Sequence, residues 1–577
     1  MKNAILICFL ALLQVSNSYS QKLEWAKAIL GTKTLNIHSH ALDMKGDHVF
    51  TGHFFNSVDF DPSSSSVIKT AVGLDDIFVL KLDTAGNFLW VKTFGSNWQD
   101  QGYDIKVNNL NQIIVSGLFM DSIDFDPGIG IHIEKTKNSF NSNSFILSLN
   151  SNGDFNWVKN TNLNYRITYS SFIELDKANN IIFTCCFRDT LIIDSTGLNN
   201  IICKGYEDFF IQKLDHLGNL IWIRSYGGDN VIKANSLIID NNKNIIISGY
   251  FLGSVDFDND TSTLPLIANC NSEVFFMKIK SDGNFDWVKT IGGNNHHYCP
   301  RVESSTVDVK NNLYFNGIFD DTLDFDPGIG VHNAINKDFI SPDLYLLKLN
   351  EFGNFVWVKT IDIDLAIGYK NRNSLKCFNN QLYLSNIFVR NANLDCDTNS
   401  PLTISNGSQD NFVAKFDLNG NNIWVQTIGG SGTEKNGSII IKKSKTGKTF
   451  FYITGKFQGS VDFDFSSNTY LLNSSSLYRD IFIAKYEDDH FTSIVEKVNE
   501  PVFKIYPNPS SSSVNIEKNS YEKAQLFIFN LNGQQIYSTS ISNKLQLNTS
   551  EYQNGFYFVK LVDSENNISV QKLIISH

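Results

Sequence analysis

The 577-residue chain predicts an all-β fold, and three observations point there. Phe (45) and Tyr (21) are abundant while Pro (10) and Met (4) are scarce, a bias toward residues that suit pleated, half-buried strands. Apolar runs such as DIFVLKL (76–82) and IIISGYF (245–251) are short, β-branched or aromatic, and bounded by Asn, Gly or Asp. A tryptophan series recurs about every 65 residues, and no unit of it carries a helical apolar stripe over three turns. At 42% hydrophobic and 19% charged, the chain can bury a large core. Its 48 cations against 59 acids leave a net charge of −11, which argues against a nucleic-acid partner.

The first element, residues 1–20, reads as a signal peptide. Lys2 supplies the positive region, Ala4–Val15 the apolar stretch, and Ser18 and Ser20 the small residues before a cut at Gln21. Twelve residues rise about 18 Å as a helix, too short for a bilayer core of roughly 30 Å. No later stretch approaches 18 uninterrupted apolar residues, so no transmembrane segment is expected. Cys8 leaves with the signal; Cys185, Cys186, Cys203, Cys270, Cys299, Cys377 and Cys396 form no disulfide framework and read as core thiols.

Residues 21–490 hold seven units, near Trp25, Trp90, Trp157, Trp222, Trp287, Trp357 and Trp424, with steps of 65, 67, 65, 65, 70 and 67. A Gly turn precedes six of the tryptophans, as in GNFLW (86–90) and GNFDW (283–287). A small-Gly-x-Phe strand recurs as TGHF (51–54), SGLF (116–119), TCCF (184–187), SGYF (248–251), NGIF (316–319), SNIF (385–388) and TGKF (454–457). About five residues later comes VDFD or a variant of it, at 58–61, 123–126, 191–194, 255–258, 323–326, 394–397 and 461–464. The fourth marker is the DxFxxKL strand before the Gly turn. Each unit therefore reads as about four short antiparallel strands, with the small-Gly-x-Phe strand running on into VDFD, and repeats of this size suit a β-propeller. The first unit opens with a Trp strand that lacks a Gly turn, and the last ends at DIFIAKYEDDH (480–490) without one. The N-terminal strand can thus complete the last sheet, predicting a seven-bladed propeller without an open edge.

These markers resemble the SBBP family of bacterial beta-propeller repeats over roughly residues 22–490, through the D-x-x-G-N-x-x-W turn and the S-G-x-F strand. The resemblance implies a propeller and an exported protein, and little about activity.

After a linker at 491–503, residues 504–577 lose the period and predict six or seven short strands, a small β-sandwich. Asn532-Gly533 reads as a hairpin turn, because both positions tolerate positive φ. Tyr506-Pro507-Asn508-Pro509, Asn532-Gly533, the strand bearing Gly555 and Tyr557, and the terminal strand with Lys572 together resemble the type A C-terminal sorting domain of the type IX secretion system. Asn548 stands where that family often has Asp. The resemblance implies export to the periplasm, translocation by the type IX machinery as partner, and a secreted or surface-held product.

No residue stands out as catalytic, cofactor-binding or metal-ligating. The pairs Asp59/Asp61, Asp124/Asp126, Asp256/Asp258, Asp324/Asp326, Asp395/Asp397 and Asp462/Asp464, with Asp194 alone in unit three, are expected to accept turn N–H groups where a strand ends. Oxygen-rich turns such as DFDPGIG (124–130 and 324–330) leave calcium as the alternative, without the distal Glu of a full calcium loop. Cys185-Cys186 aligns with Gly117-Leu118 and reads as strand interior. His38, His40, His48 and His53 cluster in unit one but make no metal site by spacing, because His-x-His on a strand is as easily solvated turn-side surface, and His296-His297 with Cys299 lacks a carboxylate partner. There is no HExxH, GxSxG or Walker loop. The sequence thus favours an exported, non-catalytic binding or surface-structural propeller that takes a glycan or protein ligand through its loops. The alternative is a polysaccharide-active enzyme with acids from loops such as 293–303 or 429–437.

Overall fold

The computed structural model describes residues 21–488 and 503–577, apart from 138–140, 162–170, 193–199, 259–264, 269–271, 293–299, 337–340, 365–373, 394–402, 476–477, 519–522, 531–533 and 564–567. Residues 1–20, the Asn532-Gly533 pair, Asp194, Asp395/Asp397 and the His296-His297 pair lie outside the described residues. The described residues contain strands and no helix. The chain divides into two compact units, one spanning Ser18–His490 and one containing Phe491–His577.

In the larger unit the repeat builds seven antiparallel sheets around four strands each, two of them extended to six by a hairpin of the following unit. Sheet one is Leu35–Leu42, His48–Phe54, Asp76–Leu82 and Phe88–Phe94; sheet two is Gln101–Val107, Ile113–Met120, Ser142–Leu149 and Phe155–Asn160. Sheet three is Ser171–Leu175, Ile181–Phe187, Asp208–Leu214 and Leu220–Gly228; sheet four is Ile232–Ile239, Ile245–Phe251, Glu273–Ile279 and Phe285–Ile291. Sheet five is Arg301–Val307, Leu313–Phe319, Asp343–Leu349 and Phe355–Ile361; sheet six is Ser374–Phe378, Gln381–Phe388, Asp410–Asp417 and Asn422–Ile428. Sheet seven takes Lys435–Lys443, Thr449–Phe457 and Asp480–Asp488 from the end of the unit and Gln21–Gly31 from its beginning. Ala26 lies opposite Ala484, Lys27 opposite Ile483 and Ala28 opposite Phe482.

The first strand of each sheet touches the first strand of the next, from one through seven, and that of sheet seven touches that of sheet one. A separate apolar cluster fills each of these seven junctions. The junction of sheets seven and one is as apolar as the rest, joining Ile29, Ile481 and Ile483 to Leu35, Phe50, Phe54 and Phe60.

The repeat markers are junction chemistry. The Gly of the turn ahead of each of those six tryptophans has φ between 76° and 85°, a left-handed region that a side chain disfavours. A Cβ there would also strike the Trp of the preceding sheet, at 3.0 Å for Gly153 on Trp90 and 2.9 Å for Gly283 on Trp222. Trp25, in the strand borrowed by sheet seven, covers Gly86 of sheet one in the same way, at 3.1 Å. Indole N–H groups of Trp157, Trp222 and Trp357 donate to carbonyls of the turns they cover. The buried lysine of DxFxxKL ties two sheets together. Lys81 pairs with Asp43 of its own sheet at 2.8 Å and donates to the Ser151 carbonyl of the next, and Lys213 and Lys278 repeat both bonds.

VDFD does not continue the small-Gly-x-Phe strand within its sheet, as the sequence reading had it. It turns away to form a separate hairpin, and in two places it pairs with the fourth strand of the preceding sheet: Leu30 with Asp59, and Gly227 with Asp256. Its Phe is buried edge-on against the Phe of the marker before it, as in Phe54–Phe60 and Phe119–Phe125.

The smaller unit has a three-stranded sheet (Phe503–Tyr506, Ser513–Lys518, Lys544–Asn548) and a four-stranded one (Gln535–Ile541, Ala524–Asn530, Gly555–Val562, Ile568–Ile575). They share a core that includes Phe503, Val514, Ile516, Leu526, Ile528, Val559 and Leu573.

Candidate functional site

The repeated acids have structural partners. Asp59, Asp124, Asp324 and Asp462 each accept two loop N–H groups, two and eight residues on, at 2.8–3.2 Å. Asp126 and Asp326 accept Gly128 and Gly328 N–H groups at 2.8 Å. Cys185 and Cys186 lie in the interior of sheet three with their side chains in different junctions, Cys185 toward sheet two and Cys186 toward sheet four, because successive residues of a strand alternate. Burial pushes the Cys185 thiol well above its usual range.

Of the four histidines of unit one, for which solvated turn-side surface was the alternative to a metal site, three are buried and His38 is half-buried. His40 and His48 are buried, 3.0 Å apart, and stacked on Phe50. Burial holds both below the usual imidazole range, His48 at about 3. His53 is also buried, and with His38 it belongs to a polar network where the first strands of sheets seven, one and two begin.

That network links side chains of sheets seven, one and two. Lys456 donates to the Asn36 side-chain oxygen, and the Asn36 amide pairs with His53 Nε2 at 2.7 Å. His53 stands 3.7 Å from Asp75, whose other neighbour is the Gln101 amide at 2.6 Å. Tyr103 donates to Gln101 at 2.8 Å, and its ring lies 5.3 Å from that of His38. A bulge at His38 and another at Tyr103 re-aim these two side chains within their first strands. Burial pushes Asp75 up to about 6, and leaves its Oδ1 without a partner among the described residues. Lys456 is pushed down to about 7, chiefly by burial and then by the charges of Lys435 and Arg479. Lys435 is pushed down to about 8 by burial and by Arg479.

Two further groupings involve residues of other first strands. Glu207 receives Arg188 at 2.9 Å and Lys233 at 3.2 Å, with the Arg188 guanidinium 4.1 Å over the exposed Tyr206 ring. Lys106 of sheet two meets Glu174 of sheet three at 2.6 Å, and Lys376 of sheet six is lowered by burial and by the Lys106 charge. Sheets two and six are not neighbours, so these side chains converge across the middle of the unit.

The loop segments singled out for acids contribute Glu303 and Glu434. Burial pushes Glu303 up to about 7 against the pull of Arg301, 3.2 Å away. Burial pushes Glu434 up to about 8, and its carboxylate accepts the Gly430 N–H. Asp100, at the same place ahead of a first strand, accepts Ser96 and Met120 N–H groups, so this position closes a loop.

The network was missed in the sequence because its members are far apart in the chain. One signal was available. His53 and Lys456 fill the x of small-Gly-x-Phe, which is Leu118, Cys186, Tyr250, Ile318 and Ile387 in the other units.

In the smaller unit Asn508 reaches the terminal strand: its amide donates to Lys572 O at 2.7 Å and its oxygen accepts Ile574 N–H at 2.8 Å. Tyr506 bonds Glu517 and accepts from Lys544, and Pro507 and Pro509 flank Asn508. Tyr557 donates to Gln553 O, and Asn548, the departure from Asp, accepts Ser550 N–H. The Lys572 ammonium sits 4.0 Å over Phe556, beside Gly555 at the start of its strand.

Comparison with known proteins agrees for this unit. Residues 504–576 match the Secretion system C-terminal sorting domain. The protein is accordingly exported and type IX-sorted, and is either secreted or held at the cell surface. No helix among the described residues is long and apolar enough to cross a membrane. Across most of the chain, an uncharacterized WD repeat-containing protein of Acanthamoeba polyphaga mimivirus is 22% identical over 539 residues, 83% of this chain; the chain spans 37% of that relative's length. Among solved structures, the polysaccharide lyase Uly1 is 8% identical, with 81% of this chain and 100% of that one covered, at a TM-score of 0.36. A subtype N10 neuraminidase-like protein of A/little yellow-shouldered bat/Guatemala/060/2010 is 9% identical, with 80% and 99% covered, at 0.29. At TM-scores below 0.5, neither structure informs the activity of this chain.

Proposed function

We propose that residues 21–490 form a closed seven-bladed β-propeller of SBBP type that acts outside the cell as a non-catalytic binding or surface-structural protein. Residues 1–20 would serve as its signal peptide and the tail as its address on the type IX machinery. The observation that carries the reading is the strand Gln21–Gly31 completing sheet seven, with one apolar cluster at each of seven successive junctions. A viral relative named for WD repeats is in keeping with a propeller. Junction chemistry that recurs from unit to unit leaves the first-strand ends and loops to carry recognition.

A second reading, a secreted polysaccharide-active enzyme, draws on Glu303, a buried carboxyl pushed into the range of a general acid. A glycan array run beside a hydrolysis assay on the purified full chain separates the two. Binding without turnover is expected; turnover that Glu303→Gln abolishes would replace the binding reading. Deleting residues 504–577 should leave the larger unit in the periplasm, and normal secretion of that truncation would refute the sorting role.

A further inference from the structure

The four-stranded sheet of the smaller unit buries one face and leaves the other to solvent. Ile528, Val559 and Leu573 point into the shared core, so by alternation Phe527, Phe529, Phe558, Lys560 and Lys572 share the opposite face. The register sets Phe529 beside Phe558, Phe558 beside Lys572, and Phe527 beside Lys560. Phe556 lies on the same face, with the Lys572 ammonium 4.0 Å over its ring. Phe556 and Phe558 are 44% and 42% exposed, where a sandwich ordinarily turns polar side chains outward. The four strands of this sheet hold two lysines and no acid, in a chain whose net charge is −11. The outer edge of the terminal strand is already occupied. Asn508 bonds Lys572 O and Ile574 N–H there, and Ser510 N–H donates to Ile574 O. A partner cannot add a strand at that edge, so on this side it must meet the face.

We propose that the face bearing Phe527, Phe529, Phe556, Phe558, Lys560 and Lys572 is the surface by which the tail docks on the type IX machinery, and that the receiving protein offers an apolar cleft edged with carboxylates. The proposal rests on the sorting reading above and names the surface that does the sorting. A sorting domain has to be grasped by its carrier. Adjacent exposed aromatics on a rigid sheet suit that task, since each buries a large apolar area on contact. Two lysines with no acid in the sheet call for an acidic rim on the partner, which fixes the orientation of docking and turns away basic surfaces. A second copy of the chain does not meet that need, because it would set lysine against lysine.

Secretion of the full chain from a cell that has the type IX system tests the face. Phe529→Thr/Phe558→Thr and Lys560→Glu/Lys572→Glu should each lower the secreted amount at least about tenfold and hold the protein in the periplasm, as the loss of anchor residues at a docking surface would. Thr keeps a strand-favouring residue at both positions. The control Gln546→Thr, at an exposed position of the other sheet, should be secreted like the wild type. Amide-exchange protection of Ile568–Ile575 in the purified variants guards against trivial unfolding, and if the Phe variant loses it, the charge reversal decides. Loss of protection in both would mean that the face serves the fold and would overturn the proposal. So would normal secretion of either variant with its protection intact. Dimerisation of the wild type that the Phe variant abolishes would give the face to a second copy and overturn it too. Normal secretion after deletion of residues 504–577 would fail the sorting reading itself, whereas a block by that deletion beside normal secretion of the face variants fails this proposal alone.

Discussion

Replacing Asp488 by Ala tests how the junction between sheets six and seven is held. In sheets one, three and four the repeat lysine pairs with an acid in its own first turn, Asp43, Asp176 or Asp240. The corresponding turn of sheet six is Asn379-Asn380, and Lys415 crosses to Asp488 of sheet seven at 2.6 Å. Both side chains are at most 1% exposed, and Tyr383 donates to the same carboxylate at 2.6 Å. Removing one member of a buried ion pair typically costs about 3–5 kcal/mol, because the remaining charge stays buried without its counter-charge. Asp488→Ala should therefore lose about that much. A Lys415→Met/Asp488→Leu double variant should recover most of it, since an apolar replacement avoids the desolvation of both ions. Urea denaturation followed by tryptophan fluorescence reads both, with Trp424 reporting from the same cluster. A single variant within about 1 kcal/mol of wild type, or a double variant as unstable as the single, would refute the reasoning.

Other substitutions probe other levels. Gly353→Ala puts a Cβ at φ +76°, 3.0 Å from Trp287; it should cost at least about 1–2 kcal/mol and lower the melting temperature, and an unchanged melt would deny the Gly–Trp contact its role. His48 titrates near 3 when folded and near 6.5 when unfolded, so the folded state binds fewer protons between those values. Its contribution is present above about 6.5 and lost as pH falls toward 3; His48→Phe should flatten the stability–pH curve in that window, and an unaltered slope would contradict this. Asn508→Ala removes two bonds to the terminal strand and should cost the smaller unit about 1–3 kcal/mol, read as amide-exchange protection in Ile568–Ile575 and leaving residues 21–488 untouched.

Much of the fold was legible because the repeat writes its own contacts. The Gly turn and the Trp are adjacent in each marker, although the contact they make is with the neighbouring unit, Trp222 on Gly283 for example. A fixed spacing repeated in register let a contact between units be read from the chain. The path of VDFD was not legible, because alternation shows which face of a strand is buried and not which neighbour supplies its hydrogen bonds. The histidines were misread for a related reason: His-x-His has the same spacing on a solvated edge as against Phe50 and Tyr452. The Lys456–Asn36–His53 link was legible only as an unusual residue in two of the seven small-Gly-x-Phe markers, since Lys456 meets Asn36 and His53 only when the two ends of the larger unit come together.

The most direct test of that closure is a cross-link between Gln21–Gly31 and Asp480–Asp488. Ala26→Cys/Ala484→Cys and Lys27→Cys/Ile483→Cys place cysteines at adjacent cross-strand pairs, of which one is the close, non-hydrogen-bonded kind that admits a disulfide. Mild oxidation of the folded protein should join residues more than 450 apart in sequence through at least one pair, seen as a linked peptide in a mass spectrum and as a raised melting temperature. Free thiols at both pairs after oxidation would mean that the two strands do not meet and that the larger unit is open.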